Sequence, residues 1–303
     1  MQHLQYCPAC DSPAGTAKNI STFHSYQKNT FLETQLVECS CGHVFTNPQP
    51  SRNELAPFYD VDYHVFADAK LDTATIDRWI TSRLRDGRFN HLKVLPGGRY
   101  LDIGCGLGKM VAAMSRLGMK AQGIEPSPIA AQKAREAGLQ IYCGLLDDAK
   151  LDGESFDCIS MFHVLEHVPD PVSVLRECCR LLKAGGELVI GVPNYNSLVL
   201  SLVGSSWSAL DQPRHLHLFR EDSMRQVASR ANLRVAAIDT ESLVEHVESE
   251  LANWLRVRML VPRRLTHATK IARPLARRLA SVGNRSGRGE AIVARMERVD
   301  SVN

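Results

Sequence analysis

The sequence predicts an α/β protein built on a mostly parallel sheet, and three observations support this class. Strand-like and helix-like segments alternate from residue 99 onwards, which is the order of parallel βαβ units. The first of these strands, RYLDI, is followed by a short loop and then by a helix. The loop has glycines at alternate positions, namely Gly104, Gly106 and Gly108. The next apolar run, AQGIE, ends in Glu125. A glycine turn at a helix N-terminus predicts a nucleotide-type cradle, and an acid ending the second strand suits a ribose diol.

The composition is that of an ordinary soluble globular protein. Its 303 residues are enough for one full α/β core and a smaller appendage. The polar first residues predict no secretory signal, and no apolar run approaches the roughly 18–20 residues of a membrane span. The cysteines number nine, and five of them lie in core-strand or helix patterns: Cys105, Cys143, Cys158, Cys178 and Cys179. This usage favours a reducing, cytoplasmic setting with free or metal-bound thiols.

Charge is unevenly distributed along the chain. The formal net charge is +3, from 36 basic and 33 acidic residues. Residues 251–289 contain ten Lys and Arg and no Asp or Glu, so the rest holds 36 − 10 = 26 basic and 33 acidic residues, a net −7. The acidic body argues against a nucleic-acid partner. For the basic segment two alternatives stay open: a packed insertion with a solvated basic face, or a peripheral contact with an anionic membrane.

Residues 1–50 predict a small metal-binding head. Two cysteine pairs, in YCPAC and CSCGH, bracket a polar stretch that is too short to build a core of its own. Four thiolates can close a tetrahedral structural Zn²⁺ site, so the predicted ligands are Cys7, Cys10, Cys39 and Cys41. The second pair is spaced CxC, where a zinc ribbon has CxxC, and this makes His43 a substitute candidate. The alternative is a small β-hairpin unit with reduced cysteines.

Residues 51–98 predict a helical lid or linker that leads into the first core strand. Ile76, Ile80 and Leu84 recur on one helical face, and the sequence Pro-Gly-Gly at residues 96–98 ends the helix. Three side chains of this stretch are candidates for lining a site, with ordinary packing as the alternative: Tyr59, Tyr63 and His64.

Residues 99–303 form the predicted sheet domain. After the glycine loop, the sequence predicts a helix in SPIAAQKAREAG, a third strand in QIYCG and a fourth strand in SFDCISMFHVLEHV. A helix in PVSVLRECCRLLKAGG is expected to end at its two glycines, and ELVIGVPN is the fifth strand. Ligands of such sheets bind beyond the carboxyl ends of the strands. Gly104, Glu125, His163 and Asn194 all fall at that edge.

The remaining residues predict a helical insertion before a last strand. The pattern predicts a helix in EDSMRQVASRAN and a strand in RVAAIDT. Residues 243–284 are predicted as a basic helical insertion, with breaks at Pro262 and Pro274. Residues 290–298 then predict a final strand that returns to the sheet.

These motifs together resemble one group of proteins. The glycine spacing is GxGxG, whereas the dinucleotide fingerprint would need a third glycine in place of Lys109. CPAC, CSCGHVFTNPQP, LDIGCGLGK, GIEPS, FHVLEHVPDP and PRHLHLF resemble bacterial class I S-adenosylmethionine (SAM)-dependent methyltransferases with an N-terminal zinc-binding head. That group includes C-methyltransferases of deoxysugar biosynthesis and relatives in polysaccharide clusters. The resemblance implies a Rossmann-like, seven-stranded class I methyltransferase sheet.

The resemblance also implies how the cofactor is held. The loop from Asp102 to Gly108 is expected to wrap the methionine end of SAM, and Glu125 to hold the ribose. Phe162 and His163 are expected to border the cofactor. Asp147, after the third strand, is a candidate for the adenine amino group, with simple solvation as its alternative.

Two histidines are the candidate catalytic residues. In the sugar enzymes, one histidine follows the fourth strand and another follows the fifth, and their counterparts here are His167 and His215. Histidine suits the removal of a proton from the acceptor because it titrates near the working pH. We expect His215 to be the base and His167 to assist it. His217 is the rival to His215.

The expected function is therefore methyl transfer from SAM to a small-molecule acceptor, namely a sugar, a nucleotide sugar or a related metabolite. Two alternatives stay open. A nucleic-acid methyltransferase is disfavoured because the (N/D)PP(Y/F) motif is missing after the fourth strand. A non-catalytic zinc-headed binding module is disfavoured because the cofactor residues are intact. The acceptor, the choice between carbon, oxygen and nitrogen, and the oligomeric state stay open.

Overall fold

A computed structural model describes residues 1–27, 30–67, 74, 76–78, 80–81, 91–259 and 267–299. The chain begins with a small antiparallel head, which contains β1 (Lys18–Gln27), β2 (Thr30–Glu38) and β3 (Val44–Thr46). Helix α1 (Arg52–Ala67) follows the head. In the predicted lid, Ile76 is buried and Ile80 is half-buried. Leu84 and the side chains of Tyr63 and His64 lie outside the described part of the chain.

The first half of the sheet domain alternates strands and helices as the sequence predicts. Its elements are β4 (Arg99–Ile103), α2 (Lys109–Arg116), β5 (Lys120–Glu125), α3 (Pro128–Glu136) and β6 (Ile141–Cys143). Ser127 caps α3, because its side chain accepts a hydrogen bond from the Ala130 N–H. Alanines on the inner side of α3 are buried, which lets the helix lie close to the sheet.

The second half carries the longer connections. Its elements are β7 (Phe156–Phe162), α4 (Pro171–Leu181), β8 (Leu182–Pro193), α5 (Leu198–Val203), β9 (His217–Leu218), α6 (Glu221–Arg230), β10 (Leu233–Glu241), α7 (Val244–Met259), α8 (His267–Arg285) and β11 (Ala291–Arg298). Strand β7 is buried along most of its length, as expected for a central strand covered on both faces.

Seven strands form one mixed sheet in the order β10-β11-β8-β7-β4-β5-β6. The five strands from β8 to β6 pair in parallel, whereas β11 lies antiparallel between β8 and β10. This confirms the predicted seven-stranded sheet. The carboxyl ends of β4, β5, β7 and β8 meet at one edge, and the amino end of β11 reaches the same edge through its pairing of Ala291 with Pro193.

The head is joined to the rest of the chain by a pairing that the sequence did not predict. Strand β9 adds to the head sheet, in the order β1-β2-β3-β9, by pairing Phe45 with His217 and Val44 with Leu218. Phe45 and Cys39 also belong to the same buried apolar cluster as Leu101 of β4. The head therefore packs directly on the sheet domain, and it borders the segment that carries the candidate histidines.

Two predicted boundaries were wrong. Helix α4 ends before the two glycines, because strand pairing resumes at Leu182. Between the pairs Phe156–Leu182 and Cys158–Glu187 the register shifts by several residues, and Gly185 at φ +70° serves this bulge. Helix α8 also continues through Pro274 instead of breaking there. A proline removes one backbone hydrogen bond, and the packing of the inner side of α8 offsets this loss.

The basic insertion consists of α7 and α8, which pack on each other and on α5. Their shared apolar cluster contains Val247, Leu251, Ala276 and Ala280, with Trp254 half-buried against it. Among the described residues, no helix combines the length and the apolar character that are needed to cross a bilayer.

Candidate active site

The glycine loop after β4 is a close-fitting cradle. Gly104, Gly106 and Gly108 have φ values of +70°, +54° and +73°, a region that favours glycine. A Cβ atom on Gly104 would lie 2.3 Å from Cγ2 of Val164. A side chain is therefore excluded at this position by both backbone conformation and space.

Glu125 ends β5 and faces the glycine loop. It is only 7% exposed, and each carboxylate oxygen accepts one backbone hydrogen bond. The Gly106 N–H donates to Oε2 at 2.7 Å, and the Ser127 N–H donates to Oε1 at 2.8 Å. Burial raises the pKa of Glu125, and these two hydrogen bonds counteract the rise. Because a carboxylate oxygen has two lone pairs, each still has room for one hydroxyl donor.

Asp102 is a second buried carboxyl beside the loop. The Ser160 hydroxyl donates to its Oδ1 at 2.6 Å, and Ser160 in turn contacts the Tyr100 hydroxyl at 2.5 Å. Burial raises the pKa of Asp102 to about 7, and the charge of Glu125 also favours the protonated form. Asp102 therefore titrates in the physiological range, where a bound cation would shift it towards the carboxylate.

A cavity of about 490 Å³ opens between this loop and the helical insertion. Such a volume falls in the ordinary range for small-molecule sites. Loop residues and strand ends form one side of the cavity: Asp102, Gly104, Cys105, Phe162, His163 and Pro193. The opposite side is formed by α7, by Trp207 and Ser208, and by the start of β11. One cavity therefore connects the glycine loop with a second group of side chains.

That second group is rich in carboxylates, because Glu241, Glu250 and Glu290 all line the cavity. Glu250 accepts hydrogen bonds from the Ser208 N–H, at 3.2 Å, and from its hydroxyl. Burial raises the pKa of Glu290 to about 7, and the charge of Glu250 adds to the rise. His91 contacts Glu241 at 2.9 Å. This wall offers acceptors for hydroxyl or amino groups of a ligand.

His163 lies on the cavity wall at the end of β7. Its side chain is 63% exposed, and its φ of +56° is rare for a residue other than glycine. The His163 N–H donates to the Gly191 carbonyl at 2.8 Å. Its Nδ1 lies 3.3 Å from Oε1 of the fully buried Glu166. An ionised carboxylate can only accept, so Nδ1 donates to Glu166, and Nε2 is the ring nitrogen that could accept a proton from a ligand.

His167 and His215 are both more deeply buried than His163. The Nδ1 atoms of His167 and His215 contact the carbonyls of Arg214 and Ala209 at 3.1 and 2.8 Å. Because a carbonyl only accepts, both Nδ1 atoms donate to these carbonyls. The Nε2 atom of His215 lies 3.6 Å from Oδ2 of Asp211. Burial lowers the pKa of both rings, that of His215 to about 4. Both rings are therefore neutral at pH 7.

Glu166 connects these histidines and was missed by sequence reasoning. Glu166, His167 and His215 bring potential metal-ligand atoms within 4.8 Å of one another. Burial raises the pKa of Glu166, but the hydrogen bond from His163 and the nearby histidines outweigh it and lower the pKa overall. The Oε2 atom of Glu166 is buried without a hydrogen-bond partner among the described residues. The signal available in the sequence was an acid directly before His167, inside an otherwise apolar exit loop.

His217 is a structural residue of the head interface. It is fully buried, and Nε2 donates to the Val168 carbonyl at 3.0 Å. Its Nδ1 then accepts from Nε2 of His43 at 3.2 Å. Burial lowers the pKa of His217 to about 4. With both ring nitrogens engaged, His217 has no nitrogen left for a substrate.

The four head cysteines form a compact cluster. The sulfurs of Cys7 and Cys41 are 3.8 Å apart, and those of Cys10 and Cys39 are 3.6 Å apart. All four sulfurs lie within 4.8 Å of one another, which fits a tetrahedral thiolate site. Burial raises the pKa of Cys41 to about 11, so a bound cation would be needed to hold all four as thiolates. The ring of His43 pairs with His217 and is not part of this group.

The structure does not bring every predicted residue into the cavity. Phe162 and His163 line it, whereas Asp147 is exposed in a single turn after β6. Of the other predicted residues, five are absent from the lining of the cavity as formed by the described residues: Gly106, Gly108, Glu125, His167 and His215. The carboxylates of the opposite wall were not predicted, because they come from three separate segments of the chain.

The sheet order, the glycine loop and the acid that ends the second parallel strand define a class I SAM-dependent methyltransferase fold. The chain belongs to the methyltransferase domain family, whose model matches residues 77–238. A ubiquinone biosynthesis O-methyltransferase of Xanthomonas oryzae pv. oryzae is 34% identical over 158 residues. A protein of the same name from Xanthomonas campestris pv. campestris shows the same identity and length. Each match covers 49% of this chain and 66%, just under two thirds, of the relative.

Solved structures show the same fold at low identity. A SAM-dependent methyltransferase from Archaeoglobus fulgidus aligns with a TM-score of 0.51 and 14% identity, over 80% of this chain and 100% of that one. The [4+2]-cyclase SpnF aligns with a TM-score of 0.53 and 18% identity, over 82% of this chain and 97% of that one. A fold that also carries a cyclase does not by itself determine the reaction.

Proposed function

We propose that this chain transfers a methyl group from SAM to a hydroxyl-bearing small molecule, with a sugar, a nucleotide sugar or a related metabolite as the acceptor class. One observation carries the proposal: a single cavity joins the glycine loop to a wall of three carboxylates. A methyl donor held by the loop and a polar acceptor held by the wall would share this cavity. Positioning of the two supplies most of the acceleration of such a displacement.

The residues around the loop fit SAM. The bound cofactor supplies a methyl group on a sulfonium, and the chain holds it in place. The loop from Asp102 to Gly108 would bind the methionine end, and Glu125 the two ribose hydroxyls. Phe162 and His163 would border the sulfonium side, and Asp147 the adenine. The positive φ values of Gly104, Gly106 and Gly108 support a tight loop whose backbone a ligand can approach closely.

Glu125→Ala should weaken SAM binding by about 2–3 kcal/mol, because it removes a charged acceptor that both ribose hydroxyls can use. Titration calorimetry measures the change. Glu136→Ala is the matched control, since Glu136 lies at the exposed end of the adjoining α3. Equal affinities of wild type and Glu125→Ala would contradict the assignment of the ribose site.

The affinity for SAM should rise with pH through the neutral range. Asp102 has a pKa of about 7 in the folded protein, and its carboxylate form attracts the positive charge of SAM. Ionisation between pH 6 and pH 8 should therefore strengthen binding by about tenfold at most. In Asp102→Asn, which keeps the shape but cannot ionise, this rise should disappear. A wild-type affinity that is flat or falls over that range would contradict the role of Asp102.

Two observations support a hydroxyl acceptor. Carboxylates accept hydrogen bonds from hydroxyls, and Glu241, Glu250 and Glu290 face the cavity together. The Xanthomonas relatives are named as O-methyltransferases, which favours oxygen over carbon or nitrogen as the methylated atom. The direct test is to incubate the protein with SAM and panels of nucleotide sugars, free sugars and phenols, and to search for a mass increase of one methyl group. No methylated product from any panel would count against this acceptor class.

A histidine is proposed to take the proton of the acceptor hydroxyl. The resemblance to the sugar enzymes favours His215, assisted by His167. The cavity geometry adds His163 as a second candidate, because it lines the cavity and the buried Glu166 holds its Nδ1. Burial lowers the pKa of His215 to about 4, so this ring is a weak base at neutral pH. We therefore favour His163, with Glu166 as its positioning residue.

The head is proposed to hold one structural Zn²⁺ through Cys7, Cys10, Cys39 and Cys41. The support is the mutual approach of four sulfurs in a segment with little core of its own. A reducing, cytoplasmic setting is part of this proposal, because thiolate ligands of a structural Zn²⁺ must stay reduced.

A further inference from the structure

Helix α8 of the basic insertion has one buried face, which packs on the rest of the protein, and one exposed face, which packing does not account for. On α8, Ala276, Ala280 and Gly283 are buried, and the two alanines belong to the apolar cluster shared with α7. Their spacing of four and three residues marks one helical face. This face accounts for the attachment of the insertion to the rest of the protein. On the other side of the helix, the described side chains of Leu275, Arg278, Val282 and Arg285 are exposed.

That opposite side combines cations with exposed apolar side chains. Leu275, Arg278, Val282 and Arg285 recur at intervals of three, four and three residues, so they share one face of α8. Leu275 and Val282 are each 49% exposed. Within the described part of the chain, Arg277, Arg278 and Arg285 form no ion pair with a carboxylate. We call the set Leu275, Arg278, Val282 and Arg285 the outer face of α8.

We propose that the outer face of α8 docks on an anionic phospholipid surface. Guanidinium groups pair with lipid phosphates, and each basic residue near such a surface adds to binding. Leucine and valine side chains between the arginines can enter the boundary between headgroups and acyl chains. Duplex DNA or RNA would satisfy the arginines but offers little to Leu275 and Val282, and the rest of the chain carries a net charge of −7. The mixture of both side-chain types therefore favours lipid.

The structure shows which apolar residues of the basic segment are available to a lipid surface. Trp254 and Leu279, which belong to the same basic segment, are half-buried against the inner cluster and are not available to a membrane. The other helix of the insertion, α7, contributes His246, Ser249 and Glu250 to the cavity. Docking would therefore place the cavity one helix away from the lipid surface. An acceptor delivered from that surface is a consequence that rests on the proposed function, whereas docking itself does not.

Sedimentation of the full chain with vesicles tests the proposal. Vesicles of phosphatidylcholine, with and without phosphatidylglycerol, are compared at low and at physiological salt. We expect binding to the anionic vesicles that weakens with salt, and little binding to the neutral ones. The double variant Arg278→Ala/Arg285→Ala should lower partitioning by about 25-fold, which is about fivefold for each arginine. Leu275→Ser/Val282→Ser should also weaken binding. This loss should depend less on the salt concentration than the loss in the arginine variant.

A matched control removes two charges elsewhere. Lys18 and Lys120 are exposed on the head and at the start of β5, so Lys18→Ala/Lys120→Ala changes the net charge equally and should retain binding. Circular dichroism and SAM titration establish that all variants are folded, independently of any acceptor. Three results would overturn the proposal: no wild-type binding to anionic vesicles at low salt, equal losses in the arginine and lysine variants, or tighter binding to duplex DNA than to vesicles.

Discussion

His163→Ala should lower kcat by about 10²–10⁴, the usual contribution of a general base, a much larger effect than any change in SAM affinity from the lost contact beside the cofactor. The reason is geometric: His163 lines the cavity, and the buried carboxylate of Glu166 holds its Nδ1. The measurement is single-turnover transfer of labelled methyl groups to an acceptor found in the panels. Glu166→Gln should lower kcat less, because an amide oxygen can still accept the hydrogen bond from Nδ1 and keep the ring in place.

The alternative assignment of the base predicts a different pattern of kcat losses among the histidine variants. If His215 is the base and His167 assists it, His215→Ala should show the large loss and His163→Ala should be nearly normal. His24→Ala serves as a control for histidine removal, since His24 is exposed on β1. His217→Ala should lower stability, because it leaves a buried hole at the head interface and removes the partner of His43.

Cys39→Ser should abolish the metal content of the head, from about one zinc per chain to near zero. Structural zinc contributes folding free energy directly, so thermal stability should fall as well. Methyl transfer should decline together with it, because β3 pairs with β9 and the Thr46 hydroxyl donates to the His215 carbonyl at 3.2 Å. Metal analysis of chelator-free protein and thermal unfolding measure both effects.

Cys143→Ser is the matched control, since Cys143 is half-buried at the end of β6 and is not part of the cysteine cluster of the head. It should keep the metal content of wild type. A wild-type protein that is folded and active without any metal would contradict the zinc proposal. The head would then be a small β-hairpin unit with reduced cysteines.

The sheet and the cofactor cradle could be predicted because their signals are local in sequence. The glycines occupy one short loop, and Glu125 ends the very next strand, so spacing alone places them together. Parallel pairing of Asp102 with Gly123 then brings the loop and the acid to one edge. The predicted alternation of strands and helices held for the same reason, since apolar periodicity is a property of neighbouring residues.

The catalytic residues could not be ranked from the sequence, because their arrangement depends on distant contacts. His163 has an unusual positive φ, which no local sequence pattern predicts. The sequence cannot show that His217 pairs with His43, 174 residues away. The same holds for the carboxylate wall, where Glu250 and Glu290 come from α7 and from the residue before β11. The continuation of α8 through Pro274 likewise depends on packing against α7.

The cradle between β4 and β5 is expected to bind SAM for methyl transfer. Calorimetric titration of the wild-type protein with SAM, followed by competition with S-adenosylhomocysteine, tests this binding. We expect one SAM to bind per chain, S-adenosylhomocysteine to displace it, and Glu125→Ala to weaken its binding. Absence of saturable binding by the folded protein would contradict this expectation and favour a non-catalytic module on a methyltransferase fold.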